Sequence, residues 1–135
     1  MDTIVVGVDG SESSTEAVRW AARQASLTGC QVVAVLALEG LWELDLLQVN
    51  STEVRRRAEH HLRHEWVEPL READANFSVH CEEGAAADVL AGVAERAHAD
   101  TIVVGRAGGN GSMGGAVPSK LIHRVARTVV VVGAD

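Results

Sequence analysis

Apolar positions along the chain fall into two alternating kinds of segment. Four runs are short, nearly continuous and rich in β-branched residues: Ile4–Val8, Val32–Leu38, Ile102–Val104 and Val129–Val132. Such runs suit strands that are buried on both faces of a sheet. A weaker run, Phe77–Cys81, predicts a fifth strand. Between the runs, apolar positions recur at helical spacing. Ala17, Val18, Ala21, Ala22 and Ala25 share one face of a first helix, with Ser13 and Glu16 as a capping box and Gly29 as the stop. Val54, Ala58, Leu62, Trp66 and Leu70 form the stripe of a second, opened by Asn50 with Glu53, and Pro69 predicts a kink or an end. A third carries Val89, Leu90, Val93 and Ala97. A fourth starts at Pro118, a residue suited to a first turn, and carries Leu121, Ile122 and Val125.

Strands alternating with helices predict an α/β fold: a doubly wound, Rossmann-like, five-stranded parallel sheet of order 3-2-1-4-5, with helices on both faces. At 135 residues the chain supports one core, so residues 1–135 read as a single domain. The segment Glu39–Val49 is irregular yet holds Leu41, Trp42, Leu44, Leu46, Leu47 and Val49. Two readings stand for it: packing over a cavity or a partner, or a short extra helical turn on the core.

Composition narrows the function classes. The formal net charge of −7 argues against nonspecific nucleic-acid binding, which needs basic surface. No apolar run approaches the ~20 residues that span a bilayer. The chain begins directly with a strand-like run and lacks a signal-peptide pattern, so a cytoplasmic, non-membrane protein is expected. Cys30 and Cys81 have no metal-like spacing and read as buried free thiols. Lys120 is the sole lysine, and no Walker-type Gly-Lys-Ser/Thr loop occurs. His60 and His64 are one helical turn apart, but Glu59–Glu65 is not a His-Glu-x-x-His motif, and a solvated polar face is the simpler reading. No metal site or catalytic residue is assigned; Ser11 beside Asp9 lacks a general base.

Two predicted strand ends are chemically marked. The first runs Gly7-Val8-Asp9-Gly10-Ser11. The fourth opens a loop with six glycines between Gly105 and Gly115, just before the helix from Pro118. Glycines let backbone amides approach a ligand closely, and a helix N-terminus favours an anion. The loop therefore reads as a phosphate cradle, or simply as a surface turn. Asp9 reads as a turn former at the helix entry, as a ribose or adenine contact, or as both.

These residues together resemble the universal stress protein family. The resemblance is carried by Ile4–Ser11 with Ser14 and Ala17, by Gly84 with Ala86, by Ala99–Gly105, by Gly115–Pro118 and by Val129–Val132. It implies an ATP-binding domain that acts in regulation or stress sensing; with no general base or strong metal cluster evident in the sequence, any ATP hydrolysis is expected to be slow. It puts Gly7, Asp9 and Ala37 around the adenosine, Val104, Gly105 and Gly108 at the start of the phosphate loop, and Gly115, Ala116, Val117 and Pro118 at its close, with Mg²⁺ as a companion of the phosphates. It also implies a homodimer through Val129–Val132. The chain departs from the family's nucleotide-binding pattern twice. Six residues, Gly109 to Gly114, separate Gly108 from Gly115 where the pattern has nine, and Ala116 stands at the Ser/Thr position. Those departures define the alternative: a member that does not bind ATP and works as a dimeric protein–protein interaction module.

Overall fold

The computed structural model describes residues 2–106 and 116–133. In chain order the elements are β1 (Thr3–Gly7), α1 (Glu12–Thr28), β2 (Gln31–Leu38), α2 (Leu41–Leu46), α3 (Ser51–His61), a π-helical turn (Leu62–Trp66), α4 (Glu68–Glu72), β3 (Phe77–Glu83), α5 (Ala86–Arg96), β4 (Thr101–Gly105), α6 (Ala116–Arg124) and β5 (Thr128–Val132). The strands form one parallel sheet in the order β3-β2-β1-β4-β5, as the alternation predicts.

The centre of the sheet is β1, where Ile4, Val5 and Val6 have no accessible surface. Its side chains alternate between two cores. Ile4 and Val6 pack with the alanine face of α1 and with Leu62, Val67 and Leu70. Val5 packs on the other face with Ile102, Val104, Leu90 of α5 and Leu121 of α6. Each fully buried Leu or Val contributes about 1.5–3 kcal/mol, so both layers are firmly held.

Three local expectations need correction. The N-cap of α1 is Ser11, not Ser13: its hydroxyl accepts from the Ser14 N–H at 3.1 Å. Ser13 is drawn instead into a buried contact in the first turn. The stop is as expected, with Gly29 left-handed at φ +74°. The second predicted helix is broken by the π turn, ahead of the kink or end expected at Pro69, and Pro69 lies in the first turn of the short α4. Finally, α6 begins at Ala116, two residues before Pro118. The Glu39–Val49 segment contains α2, of which only Leu41 is buried, while Trp42, Leu46 and Leu47 stay largely exposed.

Candidate nucleotide cleft

The chain leaves β1 towards β2 on one side, and β4 lies on the other. Crossovers diverge at this point of reversal, leaving a crevice beyond the carboxyl ends of the strands. A cleft of about 80 Å³ lies there. Gly7 at the end of β1 and Asp9 in the turn after it border it, with Ala37 from β2, Val104 and Gly105 from β4, and Val117 from α6. Six of the ten residues singled out in the sequence are thus brought together. Gly108 and Gly115 lie outside the described residues. Ala116 is the first residue of α6, and Pro118 is buried in that helix without bordering the cleft.

Several bordering residues were not singled out as site residues. Val35 and Leu90 add apolar wall, Ala86 opens α5 at the rim, and Ser11, Ser13 and Ser14 add polar edge from α1. Leu90 belongs to a helical stripe, and nothing in a stripe separates a residue that only packs from one that also walls a cleft. The serines carry a signal: they cluster at a helix start just after a strand.

The β1–α1 turn has a defined shape. Asp9 Oδ1 accepts from the Ser11 N–H at 2.8 Å, so the turn-forming role of Asp9 is present. Gly7 faces the tip of Leu90 closely, since a Cβ there would sit 3.2 Å from Leu90 Cδ1. At the opposite rim, Ala85 gives α5 no side-chain cap. Glu39 supplies one from the end of β2, its Oε1 accepting from the Ala86 N–H at 2.9 Å. A carboxylate is favoured at that helix end by the dipole.

His60 and His64 rings are 4.5 Å apart, but among the described residues no group of three or more His, Cys, Asp or Glu could hold a metal ion. Cys30 and Cys81 are free, but only Cys30 is buried as expected, whereas Cys81 on the edge strand β3 is half-buried; that partial burial and the neighbouring Glu59 carboxylate push the Cys81 thiol above its ordinary value. Among the described residues no helix is long and apolar enough to cross a membrane.

The profile of the universal stress protein family matches residues 1–133. The chain belongs to the universal stress protein family. Universal stress protein Rv1636 of Mycobacterium tuberculosis (strain H37Rv) is 33% identical over 138 residues, covering 96% of this chain and 94% of that protein. A universal stress protein solved in complex with cAMP is 26% identical, with a TM-score of 0.69 and coverage of 97% of this chain and 95% of the other. The universal stress protein from Archaeoglobus fulgidus in complex with dAMP shares the fold at a TM-score of 0.66 and 24% identity, covering 98% and 97% of the two chains.

Proposed function

We propose that this universal stress protein binds an adenine nucleotide in the cleft and acts as a cytoplasmic regulatory module with little or no catalysis. The observation that carries the reading is the cleft's make-up at the point where the sheet winding reverses. Val35, Ala37, Leu90, Val104 and Val117 offer apolar walls to a purine, and Asp9 offers a carboxylate to ribose hydroxyls or the adenine amine. The 26% identical relative solved with cAMP supports the ligand class. ATP with Mg²⁺ is the form that the family pattern nominates. Its phosphates would lie along Gly105 to Gly115, a loop that Val104, Gly105 and Gly108 open and that Gly115, Ala116, Val117 and Pro118 close. Occupancy would act by shifting loop order or the dimer state.

Calorimetric titration with ATP, with and without Mg²⁺, and with AMP and cAMP tests this. A bound nucleotide at a hundredfold excess over Kd adds about 2.7 kcal/mol of stability, a rise of several degrees in Tm. The absence of heat and of any thermal shift at millimolar nucleotide would sink the proposal. That outcome would favour the second reading, a dimeric interaction module without ATP. Ala116, which lacks a hydroxyl, and the exposed Trp42, Leu46 and Leu47 support that alternative.

A further inference from the structure

Trp66 lies outside the cleft and ends the π-helical turn Leu62–Trp66. A π turn closes i→i+5 bonds, so residues five apart share a face. Leu62 and Val67 accordingly both enter the core, at 1% and 0% exposure. Trp66 packs partly against the same core and also reaches the β1–α1 turn, where its indole lies against Gly10. A Cβ built on Gly10 would sit 2.5 Å from Trp66 Cζ2 and 2.7 Å from Cε2. Gly10 also has φ +82°, which glycine adopts without the steric cost other residues bear. Both chain neighbours of Gly10, Asp9 and Ser11, border the cleft, and the 2.8 Å bond from the Ser11 N–H ties them together. Behind the indole, the His61 ring stacks on it at 5.6 Å and 18°, and Glu65 pairs with His61. A chain of contacts thus runs from the end of α3 to the residue between two residues of the cleft rim.

We propose that Trp66 is a positioning residue for the cleft: its indole backs Gly10, holds the Asp9–Gly10–Ser11 turn in shape, and thereby sets adenine-nucleotide affinity. The affinity part rests on the nucleotide reading above. Trp66 touches no ligand in this role; it fixes the turn from behind, as a supporting side chain fixes a binding group.

The test compares Trp66→Ala and Trp66→Phe with the unaltered protein. Amide hydrogen exchange reads the turn, and calorimetry with cAMP and ATP reads the site. The expected result for Trp66→Ala is exchange at the Ser11 amide about tenfold faster, with the amides of β2 and β3 unchanged. Nucleotide affinity should fall by about tenfold, within the range that contacting residues couple. Trp66→Phe, which keeps a flat ring against Gly10, should recover most of both. Equal Ser11 exchange in Trp66→Ala and the unaltered protein would overturn the proposal. So would unchanged affinity in a protein that does bind nucleotide. If the unaltered protein binds none, the nucleotide reading fails, and the Ser11 exchange alone decides whether Trp66 holds the turn. Should Trp66→Ala not fold, Trp66→Leu keeps apolar contact with the core and carries the same expectations. A Gly10→Ala cycle adds an independent measure. The substitution should cost less stability in Trp66→Leu than beside the intact indole, and equal costs would count against the contact.

Discussion

Gly105 at the end of β4 and Ser13 in the first turn of α1 leave no room for another carbon between them. A Cβ on Gly105 would lie 2.5 Å from Ser13 Oγ, 2.7 Å from the Ser13 carbonyl carbon and 2.8 Å from the Ser14 nitrogen. Two of these atoms are backbone, which cannot rotate away. Gly105 therefore lets β4 dock against α1 whether or not a ligand is present. Gly105→Ala should destabilise the fold by about 2 kcal/mol, the scale of overpacking in a rigid contact. Denaturant unfolding should show a lower midpoint with an unchanged slope. An unchanged midpoint would mean that α1 can slide away from β4.

That contact also shows how far the sequence could be read. β1 and β4 were legible because continuous β-branched runs have one good solution, a strand buried on both faces. The cleft was legible through its strand ends, since Gly7, Asp9, Val104 and Gly105 lie where a doubly wound sheet leaves a crevice. The use of Gly105 for packing was not, because it depends on Ser13, some ninety positions away in the chain. The shift of the N-cap from Ser13 to Ser11 was also hidden. Three serines, at 11, 13 and 14, compete for one helix start, and only the tertiary contact of Ser13 decides among them. The π turn has no period that a stripe of residues four apart reveals. Trp66 therefore read as one more stripe residue, and its contact with Gly10 was lost.

The missing hydroxyl at Ala116 gives a prediction in the opposite direction, a gain. A hydrogen bond to a charged group is worth about 1.5–3 kcal/mol. Inserting three residues between Gly109 and Gly114 together with Ala116→Ser should therefore raise ATP affinity by about tenfold or more. The same change should affect AMP less if it acts on the outer phosphates. Titration of the two nucleotides against both proteins checks this. An equal response of ATP and AMP would place the effect away from the outer phosphates.

The proposed homodimer through β5 makes a separate prediction about assembly. β5 lies at the edge of the sheet beyond β4, the position from which a second copy could extend or cover it. Val130 and Val132 pack partly against the α1 core, whereas Val131 is 40% exposed. A charge at Val130 or Val132 would therefore disturb the fold as well as an interface. Val131→Glu is the cleaner probe, and it should shift sedimentation from dimer to monomer with Tm little changed. Sedimentation identical to the unaltered protein would exclude β5 as the dimer surface.

Asp100 carries the acid sensitivity of the sheet's amino-terminal edge. Its Oδ2 accepts from the Asp2 N–H at 2.8 Å, and its Oδ1 accepts from the Thr101 hydroxyl at 3.1 Å. The Asp100 N–H in turn donates to the Thr3 carbonyl at 3.1 Å, so the residue ties the start of β1 to the start of β4. The bond from Asp2, aided by Thr101, holds this carboxyl below its ordinary value of 3.8. A depressed value means that near that pH the folded state binds fewer protons than the unfolded state, so stability rises with pH there. The contribution is fully present above the ordinary value and is lost as pH falls through the lower, folded one. Asp100 is exposed, which limits the effect to under about 1 kcal/mol. Asp100→Asn removes the charge but keeps an oxygen acceptor. Its deficit in stability should be constant above about pH 5 and should shrink as pH drops below 3.8, where the unaltered protein loses the same charge. Denaturant unfolding at a series of pH values measures that difference directly. A deficit that persists unchanged into acid would mean that Asp100 acts through geometry alone, with no part for its charge.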